Sequence, residues 1–204
     1  MIIFACIAPH PPLLLPSVGS DEDRKQVKST ISALRTLGRE IEEISPEIVV
    51  ISSPHPDWGF EVPLHFLVKN KFAHIEPFLT KEDSPAEHFQ AGRNFYNTEL
   101  KNFNKKIALI ASGDLSHRLK SDGPYGLHPD GTGFDKALVK GLKDKDIETV
   151  LKLDDIYPEA GECGLRSFSF LLGVLDAAKI NWQFETLSYE GPFGVGYLVA
   201  KFKF

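Results

Sequence analysis

Seven histidines are scattered through 204 residues, and three of them share a place in the pattern. His10 follows the apolar run 1–8, His55 follows "EIVVISS", and His117 lies in "SGDLSH", just past "IALIAS". Short runs this rich in β-branched and apolar residues read as buried strands. Loops leaving the carboxyl ends of strands line the ligand crevice of an open α/β sheet. If the three strands run the same way, the three imidazoles meet at one end of the sheet. A carboxylate to complete them stands in "EAGECGLRS" (159–167), at the entry to a long apolar stretch. Glu162 there sits near a helix N-terminus, where the macrodipole favours an anion by roughly 0.3–1 kcal/mol, so it is expected to stay ionised. Two histidines and one carboxylate with open positions form the donor set of non-heme Fe(II) oxygenases. The same set suits Zn²⁺ and hydrolysis. A third histidine beside the metal, not on it, suits acid–base work near neutral pH.

Each of these residues has a plainer reading. A histidine in the proline corner "APHPP" also serves as a hydrogen-bond partner for a carbonyl. Glu162 is four residues before Arg166, the spacing of a helix salt bridge. His117 could simply cap a turn. Cys163 is an alternative soft ligand, or a small apolar residue packed on a buried helix. Among the remaining histidines, His65, His74 and His88 read as surface positions, and His128 sits in a loop that could act as a lid.

The elements that must position these residues follow from periodicity. Asp21–Ser45 has apolar residues at 27, 31, 34, 37, 41 and 44, the helical period, with Ser20 and Asp23 as a cap and Pro46 as a stop. "PHPDWGFEVP" reads as a loop, and His65–Lys69 and Phe72–Phe78 as short strands. Ser84–Asn102 is expected to be helical, as are Phe134–Leu142, Ile147–Leu153 and the nearly all-apolar Leu165–Ala178. Phe184–Ser188 and Gly194–Phe204 close the set as strands. Strands alternating with helices predict an α/β sandwich, a mixed sheet covered on both faces, in a single domain over residues 1–204.

Composition narrows the partners. With 28 acidic and 23 basic residues the net charge is −5, and the pI is about 5.8, which argues against nucleic acid or an anionic membrane surface. No apolar run approaches the roughly 20 residues of a membrane span. The opening run lacks the basic flank of a signal peptide and reads as a strand. Two cysteines give no disulfide framework and suit a reducing cytoplasm. Fifteen phenylalanines imply bulky packing and aromatic pocket walls, for which Trp58, Phe60, Tyr125 and Phe193 are candidates by position.

"APHPP", "SPH", "SGDLSH" and "EAGECGLRS", in that order, together with the ending "YEGPFGVGYLVAKF", resemble the LigB-type class III extradiol dioxygenase superfamily, and within it the Memo-like branch. The resemblance covers most of the chain. It implies that His10 and His55 are iron ligands, that Glu162 is the carboxylate ligand, and that His117 is the acid–base histidine outside the metal. Asp114, in the same motif, would orient His117. The implied reaction is Fe(II)-dependent cleavage of a small aromatic diol by O₂, in a protein whose relatives form homo-oligomers. In Memo-type relatives a cysteine replaces the carboxylate, and here glutamate and cysteine are adjacent. The Memo-like alternative is therefore a protein without ring cleavage that holds copper or iron, with Cys163 as ligand, or binds a phosphorylated or aromatic peptide.

Overall fold

Strand β1 (Ile2–Ala8) is the first element of a six-stranded sheet in the computed structural model, which describes residues 1–69 and 73–204. The other strands are β2 (Ile48–Ser53), β3 (His74–Leu79), β4 (Ile107–Ser112), β5 (Gln183–Glu190) and β6 (Tyr197–Lys203), in the spatial order β3-β2-β4-β1-β6-β5. β1 to β4 are mutually parallel, and β6 runs antiparallel to both β1 and β5. The sheet is mixed, as expected. β2, β4 and β1 are immediate neighbours, so their carboxyl ends open side by side.

Side chains alternate across a strand, and that alternation splits the interior in two. Phe4, Cys6 and Ala8 pack with Val49, Ile51, Ala108 and Ile110 on one face; Ala5, Ile7, Val50, Leu109 and Ala111 pack on the other. The first face is covered by α2 (Lys28–Ile44) and α3 (Trp58–Leu67), the second by α4 (Pro85–Phe95), α5 (Pro129–Asp144) and α8 (Leu165–Ala177). Short helices α1 (Asp21–Gln26), α6 (Ile147–Val150) and α7 (Leu153–Ile156) complete the set. Among the described residues no helix is long and apolar enough to cross a membrane.

Several boundaries differ from the periodic pattern. The helix expected over 21–45 breaks at Val27, whose φ/ψ of −112°/31° leave the helical region; Ser20 and Asp23 form the capping box as expected. The helix expected over 84–102 passes at Tyr96 into a π-helical turn that ends at Leu100. The largest difference is residues 58–67. The expected loop and the expected strand over 65–69 are a single helix, α3, with Pro63 inside it. Proline normally breaks a helix by removing an amide donor. Here the carbonyl it leaves free, Gly59 O, accepts a hydrogen bond from the Ser112 hydroxyl instead. The strand expected over 72–78 is β3; Phe72 lies outside the described residues.

Candidate metal centre

Three side chains from three distant segments converge beyond the ends of β1, β2 and β4. One nitrogen each from His10 and His55 and the sulfur of Cys163 all lie within 4.8 Å of one another. Asp114, His117 and the same Cys163 form a second group at the same spacing. Cys163 thus joins a pair of histidines to a histidine–carboxylate pair. The imidazoles of His10 and His55 meet edge to face, with centroids 5.1 Å apart.

His10 is 2% exposed, and the contacts around it set its tautomer. Its Nδ1 is 2.9 Å from Ser112 Oγ. The Ser112 hydroxyl spends its single proton on Gly59 O, the carbonyl freed by Pro63. Ser112 Oγ can therefore only accept from His10, so the ring proton sits on Nδ1. That leaves a lone pair on Nε2, which faces Cys163 Sγ at 3.4 Å. Burial and the neighbouring His55 push the His10 pKa down to about 3, against a smaller upward pull from Asp57, so the ring is neutral. A neutral imidazole whose far nitrogen donates to a fixed acceptor is the form a metal requires.

His55 is held by a tight turn: its amide donates to Ser53 Oγ at 3.1 Å, and that hydroxyl donates back to the His55 carbonyl at 3.0 Å. Cys163 is placed by a close backbone approach. A Cβ on Gly113 would lie 2.2 Å from Gly164 Cα, so only glycine lets the end of β4 touch the entry to α8. Across that contact Gly164 N donates to Asp114 O at 3.0 Å, and Asp114 N donates to Cys163 Sγ at 3.4 Å. Burial, reinforced by the Asp114 charge, pushes the thiol pKa up, so ion binding must displace its proton.

Asp114 is buried. Its Oδ1 accepts from the His10 amide at 3.0 Å. Burial raises its pKa to about 6, against downward pulls from that amide and from His117 and His55. Burial lowers the pKa of His117, against an upward pull from Asp114. The His117 amide donates to Ala160 O, and its buried Nε2 has no hydrogen-bond partner among the described residues. A buried polar atom with no partner is costly, and here it borders a cluster of ligand atoms. The fixed His10 tautomer and the converging His–His–Cys donors fit a bound metal ion, and the orphaned His117 nitrogen leaves a base free beside it.

The expected carboxylate ligand is elsewhere. Glu162 belongs to neither group of ligand atoms. Its Oε2 accepts from Leu165 N at 2.6 Å, and its Oε1 meets Arg166 at 3.3 Å, so it caps the start of α8. It is not the freely ionised group expected from the helix dipole. Burial outweighs the amide and Arg166, and its pKa rises to about 7. Of the four candidate wall residues, Trp58 and Tyr125 are exposed beside the site, their rings 5.5 Å from His55 and 5.2 Å from His117. Phe60 and Phe193 pack against the core under α2 and α3. His128 is a cap: its Nδ1 accepts from Asp130 N at the start of α5. Sequence reasoning passed over Ser112 and Pro63, although a proline four residues after a glycine in an amphipathic segment is the signal of a freed carbonyl.

Comparison with known proteins agrees with this arrangement of strands and loops. The solved structure of the uncharacterized protein JW3007 from Escherichia coli K12 shares the fold, with a TM-score of 0.55 at 16% identity over 97% of this chain and 98% of that one. A curated protein of Clostridium acetobutylicum, Protein CA_C1420, is 31% identical over an alignment 269 positions long, gaps included. That alignment takes in 96% of this chain but 56% of the relative, so the chain spans about half the relative's length. The pattern of the catalytic LigB subunit of aromatic ring-opening dioxygenase matches residues 53–200. That match and the relative together show that this chain belongs to the LigB family.

Proposed function

We propose that this chain is a metal-dependent LigB-family protein of the Memo-like kind, with His10, His55 and Cys163 as its metal ligands. The observation that carries the reading is the divergence of two adjacent residues. Cys163 Sγ faces His10 Nε2 at 3.4 Å, while the Glu162 carboxylate is taken up by Leu165 N and Arg166. Two imidazoles and a thiolate suit copper or iron better than a hard ion. A bound ion of this kind would supply one-electron chemistry with O₂. A reducing cytoplasm, which keeps the thiol free, is the proposed compartment.

The chain's own groups handle the rest. His117, held neutral by burial, is ready to accept a proton at its unpartnered Nε2. Asp114 stands beside it and stabilises the imidazolium that results. Trp58 and Tyr125 flank the two sides of the cluster and offer flat faces to a small aromatic substrate.

Extradiol cleavage of a catechol by Fe(II) is the second reading, and the family match favours it. Anaerobic reconstitution with Fe(II) or Cu(I), followed by O₂ uptake with a catechol panel, separates the two. The expected result is bound metal with a thiolate-to-metal charge-transfer band that disappears in Cys163→Ser, and no ring-opened product. His117→Ala should keep the band and lose whatever oxygen uptake the wild type shows. Ring-opened product from Cys163→Ser with metal still bound would overturn the thiolate reading. Tightly held zinc with no oxygen uptake would replace redox chemistry with hydrolysis.

A further inference from the structure

Away from the metal ligands, the outer face of α2 borders a positive groove in which two of the arginines, Arg35 and Arg39, have no ion-pair partner among the described residues. Arg35 and Arg39 lie four residues apart on one side of the helix, a like-charge spacing that costs an isolated helix a few tenths of a kcal/mol, about 0.2–0.5. Arg24 on α1 and His65 and Lys69 at the end of α3 face the same space, a groove of about 340 Å³. Among the described residues no carboxylate lines it, although Asp21 lines the adjoining cleft that shares Arg24, Arg35 and Arg39. In a chain with five more acidic than basic residues, that segregation needs a reason.

The charges are not consumed locally. Among the described residues neither Arg35 nor Arg39 has a carboxylate partner; Arg39 donates only to Thr36 Oγ1, at 3.1 Å. Lys69 reaches Glu42 only at 3.8 Å. Arg24 is different, because Asp21 and the carbonyl of Gly19 fix its guanidinium in place. The Arg24 fork is therefore taken up, and the groove offers the guanidinium of Arg35 and that of Arg39, which is held only by Thr36. Its floor is apolar: Ile31, the buried Leu14, and the buried Phe66, against whose ring His65 stands edge-on.

We propose that this groove binds a small organic phosphate, with the phosphate on the guanidinium forks of Arg35 and Arg39 and a planar or apolar body on Ile31 and Phe66. Guanidinium forks match phosphate oxygens bidentately, and several together select a dianion over a monoanion. The volume is at the small end for ligand clefts, roughly 300–1,000 Å³, and fits a small molecule better than a polymer. Leu14 lies four residues beyond His10, and His65 and Phe66 are on the helix that follows His55, so the ligand would sit behind the two segments that carry the histidines. The inference stands independently of which metal the chain holds.

Titration calorimetry of the whole chain with AMP and with pyrophosphate at physiological salt tests it, with a single-stranded oligonucleotide as a third arm. Both phosphates should bind, AMP more tightly because of its planar body. Arg35→Gln and Arg39→Gln should each weaken binding about tenfold, the worth of a charge-assisted hydrogen bond. Metal content and melting temperature should stay at wild-type values, and Lys101→Gln, on a distant exposed turn, should bind as wild type. Absence of heat with both phosphates at millimolar concentration would overturn the proposal. So would binding that is indifferent to both arginine substitutions, or oligonucleotide binding without AMP binding.

Discussion

Glu162 and Cys163 are neighbours in the chain and belong to two different regions of the molecule. On one side of the backbone the Glu162 carboxylate turns towards the start of α8, where it closes the first turn and meets Arg166, with Asp154 also paired to that arginine. On the other side the Cys163 sulfur turns towards His10 and His55. The Glu162 carboxylate is buried and Cys163 half-buried, and desolvation raises both pKa values. They differ in what satisfies the buried group. Glu162 has an amide and a guanidinium and is complete without a metal. The ligand cluster ends in an unpartnered His117 nitrogen and a thiol at a weak hydrogen-bond distance, and is not. A carboxylate that is already satisfied is a poor ligand, whatever its position in the sequence.

The sharpest way to break this comparison is to measure metal affinity after removing one member of each region. Cys163→Ser, His10→Ala and His55→Ala should each weaken binding by about a thousandfold, about 4 kcal/mol, as expected for loss of a direct ligand. Glu162→Gln should leave affinity within about threefold, less than about 1 kcal/mol. A competition titration against a chromophoric chelator reads both. Metal loss in Glu162→Gln with retention in Cys163→Ser would reverse the two regions.

A smaller effect separates the cap region by pH. The folded pKa of Glu162 is raised from 4.5 to about 7, so the native state holds the proton more tightly than the unfolded chain does. Its stabilising contribution is therefore complete below pH 4.5 and is lost as pH rises through about 7. Glu162→Gln cannot ionise and escapes that loss. In denaturation of the metal-free proteins, the variant should gain on wild type by on the order of 3 kcal/mol between pH 4.5 and pH 8. A gain by wild type over the same range would mean that the Arg166 pair outweighs burial.

The contrast also marks what the sequence could disclose. Strands over 48–53 and 107–112, the apolar helix from 165 and the shared fate of His10 and His55 were legible, because buried strands are apolar runs and parallel neighbours open at one end. Which way residues 162 and 163 face was not. It depends on the contact between Gly113 and Gly164, two backbones separated by fifty residues of sequence. α3 was hidden by its proline, since local propensity marks Pro63 as a breaker and only the distant Ser112 makes the missing bond harmless.

That last point yields the smallest of the expected effects and the most local test of how the ligand cluster is built. Ser112 Oγ stands between Gly59 O and His10 Nδ1, donating to the first and accepting from the second. Its replacement by alanine removes no ligand. It leaves the His10 ring free to hold its proton on either nitrogen, and it strands two buried polar atoms. Partners of this outer kind typically contribute 10–100-fold to metal affinity, so Ser112→Ala should weaken binding by about tenfold while the thiolate charge-transfer band persists. Pro63→Ala should act in the same direction and more weakly, because a restored amide at 63 competes for Gly59 O and lets the Ser112 proton turn towards His10. Ser112→Thr keeps the hydroxyl and should recover most of the affinity. If Ser112→Ala binds metal as wild type does, the tautomer of His10 is set by something other than this relay, and the freed carbonyl in α3 has no part in preparing the site.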